Sequence, residues 1–208
     1  MISFIYHAVL ITGILVGIFH FKKLSIAFKM LTVVLLYTTI HEISIHNLNF
    51  SIELNYLLYN IYAIFSCLTY LLVIRFQLQE RKFQIISNWL IILAVFVDVL
   101  ILLGSDLRHN FPSRIIAFTF PIVILSSILL FWQLLNSNIE TKLAKRSSFW
   151  LATGILIYHS IGYAILGLFS YALELNLNYG VEAQLMFYIS IIFYSMIGYS
   201  IYLNGNRE

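Results

Sequence analysis

The sequence predicts an all-α, polytopic membrane protein: one bundle of seven transmembrane helices, N-terminus outside and C-terminus inside. Three observations predict it. Of the 208 residues, 61% are hydrophobic and 10% charged, whereas a soluble domain averages about 45–50% apolar and about 25% charged. The apolar residues fall in seven runs, each long enough to cross a hydrocarbon layer roughly 30 Å thick. The runs are continuous rather than alternating, which gives helices and not a barrel.

The spans are read at residues 2–21, 24–44, 54–75, 84–104, 115–136, 148–172 and 183–203. The first lacks a basic leading segment and a small-residue cleavage pattern, so it reads as an uncleaved helix. The second is interrupted near its start by Lys29 and ends on His41 and Glu42. The third carries no charge between Leu54 and Ile74, and the fourth carries one, Asp98. The fifth contains Pro121, a residue that kinks helices and opens space in a bundle. The sixth contains Gly154 and Gly162, which permit close helix packing. The seventh runs to the basic end of the chain at Arg207. The connections are short, so the chain reads as a single domain over 1–208.

Charge sets the expected orientation. Lys22, Lys23, Lys29, Arg75, Arg81, Lys82, Lys142, Lys145, Arg146 and Arg207 are ten of the twelve basic residues. They fall on one side of a seven-span chain, leaving Arg108 and Arg114 on the other. The positive-inside rule then puts the C-terminus inside, as expected of a multi-pass protein of the bacterial cytoplasmic (inner) membrane. The same residues read as topology signals, so no nucleic-acid partner is expected.

Several chemistries are excluded. A single cysteine, Cys67, leaves no disulfide framework and no multi-cysteine metal site. The last span has no lysine for a retinal Schiff base. Neither G-x-S-x-G nor G-x-x-x-x-G-K-[ST] occurs. Neither Pro112 nor Pro121 precedes Gln, unlike the PQ-loop sugar transporters, and no His follows His159, unlike the zinc hydrolases of the ceramidase type.

Polar groups inside hydrocarbon are costly and usually face a cavity or a partner. Asp98 lies about 9 Å below the outer end of its helix at about 1.5 Å per residue. It must be paired, hydrated or protonated there. His41, Glu42 and His46, in the string HEISIH, stand at the outer end of the second span. A helical zinc pair needs i, i+4 spacing; at i, i+5 the two His diverge by about 140°, so both are weak metal candidates. His159, Tyr163, Gly167 and Ser170 form one face of the sixth span. Tyr56, Tyr59, Asn60, Ala63, Cys67 and Tyr70 form one of the third, and Tyr188, Ser195, Gly198, Tyr199 and Tyr202 one of the seventh. Each is read as pocket lining or, near a helix end, as the aromatic belt.

The string from Phe149 to Leu166, FWLATGILIYHSIGYAIL, carries Phe149, Trp150, Gly154, Leu156 and Tyr158 in the pattern F-W-x-x-x-G-x-L-x-Y. This pattern resembles that of small seven-helix membrane proteins of the Bacteroidota, sensory modules that stand alone or are fused to kinases. Glu42, Asn55 and Tyr59 fit the same resemblance. It implies a whole-chain sensory fold and no established ligand or cofactor.

The expected function is an integral membrane sensor or ligand-binding module. A small molecule or lipid would enter from outside among the second, third, fourth and sixth helices. Glu42, Tyr59, Asn60, Asp98, His159 and Tyr163 would contact it, and a separate signalling protein would read the basic inner loops. The alternatives are a small-solute or ion transporter coupled through Asp98 and His159, and an intramembrane lipid-modifying enzyme using His41, His46, Asp98 or His159. No catalytic residue is assigned, and no cofactor is implied.

Overall fold

Each apolar run folds as one helix in a computed structural model. The structure describes all residues except 1, 49, 110–112, 138–141, 175–179 and 207–208. The side chains of 2–3, 46–47, 113, 167–174 and 180–183 also lie outside the described part, among them those of His46, Gly167 and Ser170. The helices are α1 (Ile2–His20), α2 (Ile26–Asn47), α3 (Ile52–Gln77), α4 (Arg81–Gly104), α5 (Ser113–Leu135), α6 (Ser147–Glu174) and α7 (Gly180–Gly205). A one-turn 3-10 helix, Leu143–Lys145, precedes α6. Six of the seven, α2 to α7, are long and apolar enough to cross a membrane, while α1 has 19 residues. The chain is a multi-pass helical membrane protein.

The helix order in space follows from the packing. α1 lies against α2 and α7, α7 against α6, α6 against α5, α5 against α3, and α3 against α2. These six close a ring. α4 stands outside it, against α3 and α5. Only 17% of its apolar window is buried, against 50% for α2, α3 and α5. A helix apolar all round can be solvated by lipid on most of its surface. The inward face of α4 is a narrow stripe, Phe83, Ser87, Ala94 and Asp98, spaced by four, seven and four residues. Of the helices expected around a pocket, the fourth thus packs on the third.

Close crossings tie the ring together. Gly13 on α1 and Gly198 on α7 let the two backbones touch: a methyl on Gly198 would meet the Gly13 Cα at 3.4 Å. Gly154 packs against Met196 and Phe193, and Gly162 against Phe120, in line with the small-residue expectation for α6. α5 passes through Pro121 as one continuous helix.

One end of the bundle gathers the basic connections. The Asn204 side-chain carbonyl accepts from the Ser25 amide at 3.0 Å, joining the end of α7 to the start of α2. The Gln133 side-chain carbonyl accepts from the Gln79 and Glu80 amides at 2.7 and 3.1 Å, joining α5 to the α3–α4 connection. Ser148 donates to the Gln77 side chain at 2.7 Å, bringing the start of α6 to the same end. Lys22, Lys23, Arg81, Lys82, Lys145 and Arg146 therefore stand on one face of the molecule.

Candidate functional site

The inward faces of α1, α2, α3, α6 and α7 meet in an aromatic, hydroxyl-rich interior. On α2 the inward positions recur every three or four residues, through Leu31, Leu35, Thr38 and His41. On α3 the buried positions run through Asn60, Ala63, Cys67, Tyr70 and Ile74, while Tyr56 and Tyr59 of the stripe read for the third helix are half-buried. On α1 the same spacing brings Tyr6, Leu10 and Ile14 inward, and on α7 Phe193, Tyr194, Ile197 and Ile201.

A hydroxyl chain crosses this interior. The Thr38 Oγ1 and Tyr62 Oη atoms are 3.1 Å apart, and Tyr62 Oη is 3.2 Å from Tyr194 Oη. The Tyr6 ring packs edge-on against Tyr194, with ring centroids 5.8 Å apart. Three helices, α2, α3 and α7, thus share one set of hydrogen bonds, and α1 packs on it through the Tyr6 ring. On α6 beside it, the Tyr158 ring stacks on Phe193 of α7 at 4.4 Å. Glu42 is half-buried on α2 and lies within electrostatic reach of the hydroxyls of Tyr6, Tyr59, Tyr62 and Tyr158. It is the carboxylate of this cluster.

His41 is buried one position before Glu42. Its ring stacks on Tyr62 at 4.5 Å and meets Tyr59 edge-on at 5.2 Å. The Leu58 carbonyl lies alongside, outside hydrogen-bond geometry to either ring nitrogen. α2 continues helically through His46, so the backbone carries the two His about 140° apart. Among the described residues no three His, Cys, Asp or Glu side chains gather as a metal site would need.

His159 sits deeper. Its Nδ1–H donates to the Ile155 carbonyl at 2.8 Å, one turn back on α6. The rings of Phe120, Tyr158 and Tyr70 surround it at 4.7, 5.2 and 5.5 Å. Tyr163, four residues on, is 43% exposed on the outside of the bundle. Asn60 is buried and donates to the Leu107 carbonyl at 3.1 Å and the Tyr56 carbonyl at 2.8 Å. It anchors the α4–α5 connection to α3. Asp98 is buried in the separate seam between α4, α3 and α5. Glu42, Tyr59 and His41 are thus brought together, and Asp98 stands apart from them.

The stripe on α7 lies away from the aromatic interior. Tyr188, Ser195, Tyr199 and Tyr202 face outward, and the inward face is set one position earlier by Tyr194 and Ile197. Ser195 spends its hydroxyl on the Ile191 carbonyl at 2.7 Å, so it can face lipid. Ser195, Gly198, Tyr199 and Tyr202 instead line a groove of about 500 Å³ between α1 and α7. Thr12, Gly13 and Tyr194 line it too, which puts one member of the hydroxyl chain in its wall.

At the end opposite the basic connections, His109 bridges two carboxylates, with Nδ1 2.7 Å from Asp106 Oδ2 and Nε2 3.4 Å from Glu53 Oε1. The hydrogen bond to Asp106 raises His109 above the usual imidazole range and, reciprocally, holds Asp106 below the usual carboxylate range. Both nitrogens can donate only in the imidazolium. The strap is therefore complete at pH values between the lowered Asp106 and the raised His109. It loses its His109 contribution as pH rises through the imidazole's folded value, and its Asp106 contribution as pH falls through the carboxylate's. The protection of the Asp106–His109 amides against hydrogen exchange, relative to their intrinsic rates at each pH, should fall on the alkaline side in the wild type. His109→Gln should show low protection throughout, with no such pH dependence. All three groups are exposed, so the effect is local.

No protein-family model, curated protein or solved structure gives a significant match to this chain.

Proposed function

We propose that the protein is an integral membrane sensor or ligand-binding module. The single observation that carries this reading is the hydroxyl chain from Thr38 through Tyr62 to Tyr194, which couples three helices beside the Glu42 carboxylate and against the Tyr6 ring of a fourth. A small molecule or lipid that bonds to any member changes the pairing available to the others. Hydroxyl donors and acceptors can be exchanged without moving the helices far, so two arrangements of similar energy are accessible. Helix shifts so biased would emerge at the basic end, where a separate signalling protein would read them.

The same reading takes all seven helices as spans, the basic end as cytoplasmic and the membrane as the bacterial inner one. Ten of the twelve basic residues on one side support that orientation. Cysteine labelling from either side at Ser105 and at Gln79 would test it: Ser105→Cys should react from outside and Gln79→Cys only from inside.

Ligand binding tests the function. The protein in lipid nanodiscs, screened by thermal shift against amphipathic metabolites and lipids, should yield a stabilising compound. Tyr62→Phe and Glu42→Gln should weaken that shift by about tenfold in affinity, equivalent to about 1.4 kcal/mol, while folding normally without ligand. A stabilising ligand indifferent to both variants would overturn the reading.

A further inference from the structure

A buried carboxylate with nothing to bond it stands outside the site just described. α4 turns Phe83, Ser87, Ala94 and Asp98 toward α3 and α5, and leaves Trp89, Ile92, Phe96 and Leu103 to the lipid. Asp98 is 2% exposed, and neither Oδ1 nor Oδ2 has a hydrogen-bond partner among the described residues. Thr119 on α5 donates to the Ile115 carbonyl at 2.7 Å and lies 3.5 Å from the Cys67 Sγ. Cys67 on α3 is the titratable group within electrostatic reach of Asp98. In the neighbouring loop Arg114 donates to Ser105 at 3.0 Å, Asp106 bonds His109, and Arg108 lies within electrostatic reach of Asp106.

This placement is hard to account for as packing. An ionised carboxylate without donor or counter-charge carries a penalty of several kcal/mol in an apolar seam. A leucine would fill the same place without it. The neutral acid is the form such a seam accommodates, and the ionised form requires water to enter between α4 and the ring. α4 is the helix best able to let water in, since it packs on two neighbours and is mostly bathed by lipid.

We infer that Asp98 is a proton-binding site, and that its proton controls how tightly α4 docks on α3 and α5. With the proton bound, the seam is dry and closed. With the proton released to water at the outer end, about 9 Å away along the helix, the carboxylate draws water in and α4 loosens. The inference is independent of the sensor reading, which rests on other residues.

Infrared difference spectroscopy in lipid vesicles tests it. The wild type, titrated from alkaline to acid, should gain the high-frequency C=O stretch of a carboxylic acid without hydrogen-bond donors. Asp98→Asn should lose that band. Its absence from the wild type, or its persistence in the variant, would overturn the proposal. Should Asp98→Asn fail to fold, wild-type protein treated with a hydrophobic carbodiimide gives a second test. The reagent attacks protonated carboxyls in apolar surroundings, and peptide mapping should place the adduct on Asp98 at acid pH and lose it at alkaline pH. An unmodified Asp98 would count against the site.

The seam also carries its own reporter. Cys67 is the single cysteine and is buried. Its labelling by a membrane-permeant maleimide should rise with pH severalfold more in the wild type than in Asp98→Asn, whose identical thiol controls for thiolate formation. Equal pH profiles would show that ionisation of Asp98 leaves α4 docked, and would overturn the second half of the proposal.

Discussion

Gly17→Ala should destabilise the protein by about 1–3 kcal/mol, the range for forcing an extra methyl into a filled core. The methyl would stand 2.5 Å from both Oγ1 and Cγ2 of Thr32 on α2. Thr32 has little room to yield. It is β-branched and so stiff about χ1, and its hydroxyl already donates to the Phe28 carbonyl at 3.0 Å. The α1–α2 crossing must therefore widen. Adding Thr32→Ala removes the two closest atoms and leaves a Cβ at 3.0 Å, so the double variant should recover part of the loss, a non-additivity that identifies the contact. Gly104→Ala meets no atom within 4 Å and should be neutral. Unfolding in detergent, followed by tryptophan fluorescence or thermal shift, checks all three. Equal stabilities for Gly17→Ala and Gly104→Ala would refute the crossing.

Gln133→Leu should be about as damaging. Gln133 is 6% exposed, and its side-chain carbonyl holds the amides of Gln79 and Glu80. These amides lie at and just before the start of α4, where no intrahelical acceptor is available. Leucine fills the volume but removes the acceptor. Each buried N–H left unpaired costs about 1–3 kcal/mol. The α3–α4 connection should also become accessible to protease, because the amides that order it have lost their partner. Gln133→Glu keeps an acceptor oxygen and should retain most of the stability. The same unfolding assay separates the two. A leucine variant as stable as the wild type would mean that water replaces the side chain.

Both sites show where sequence reasoning stops. Gly154 and Gly162 stand in the span with the most visible motif and are legible as packing residues. Gly17 and Gly205 are not, although a methyl on Gly205 would meet the His20 ring at 2.6 Å. A glycine in an apolar run carries no mark of which neighbour approaches it. Gln133 looked like the polar end of a span, and nothing local tells it from a residue that ends in water.

The hydroxyl chain and the Tyr6 ring packed on it were hidden for a related reason. Tyr6, Tyr62 and Tyr194 share helical phase with apolar residues, whereas Tyr199 and Tyr202 share phase with Ser195 and Gly198. In a soluble helix the more polar stripe faces out and the apolar stripe faces in. In a membrane both environments are apolar, so neither stripe declares its direction. Only a count of large rings at the phase of Leu10 and Ile197 would have pointed inward.

What the sequence determined by itself is the set of helices and the gathering of basic residues at one end. Span lengths follow from hydrocarbon thickness, and the predicted limits agree with the observed helices to within three residues at each end. The cost of burying charge confined Asp98 to an inward position and the lysines and arginines to the helix ends. Tertiary structure alone decided which helices are neighbours, that α4 lies outside the ring, and that Glu42 and Asp98 belong to different places. Hydrophobicity drives a helix into the bilayer but offers little preference among partners once there. That choice is made by shape, through Gly17 against Thr32 and Gly13 against Gly198, and by the few hydrogen bonds that span helices.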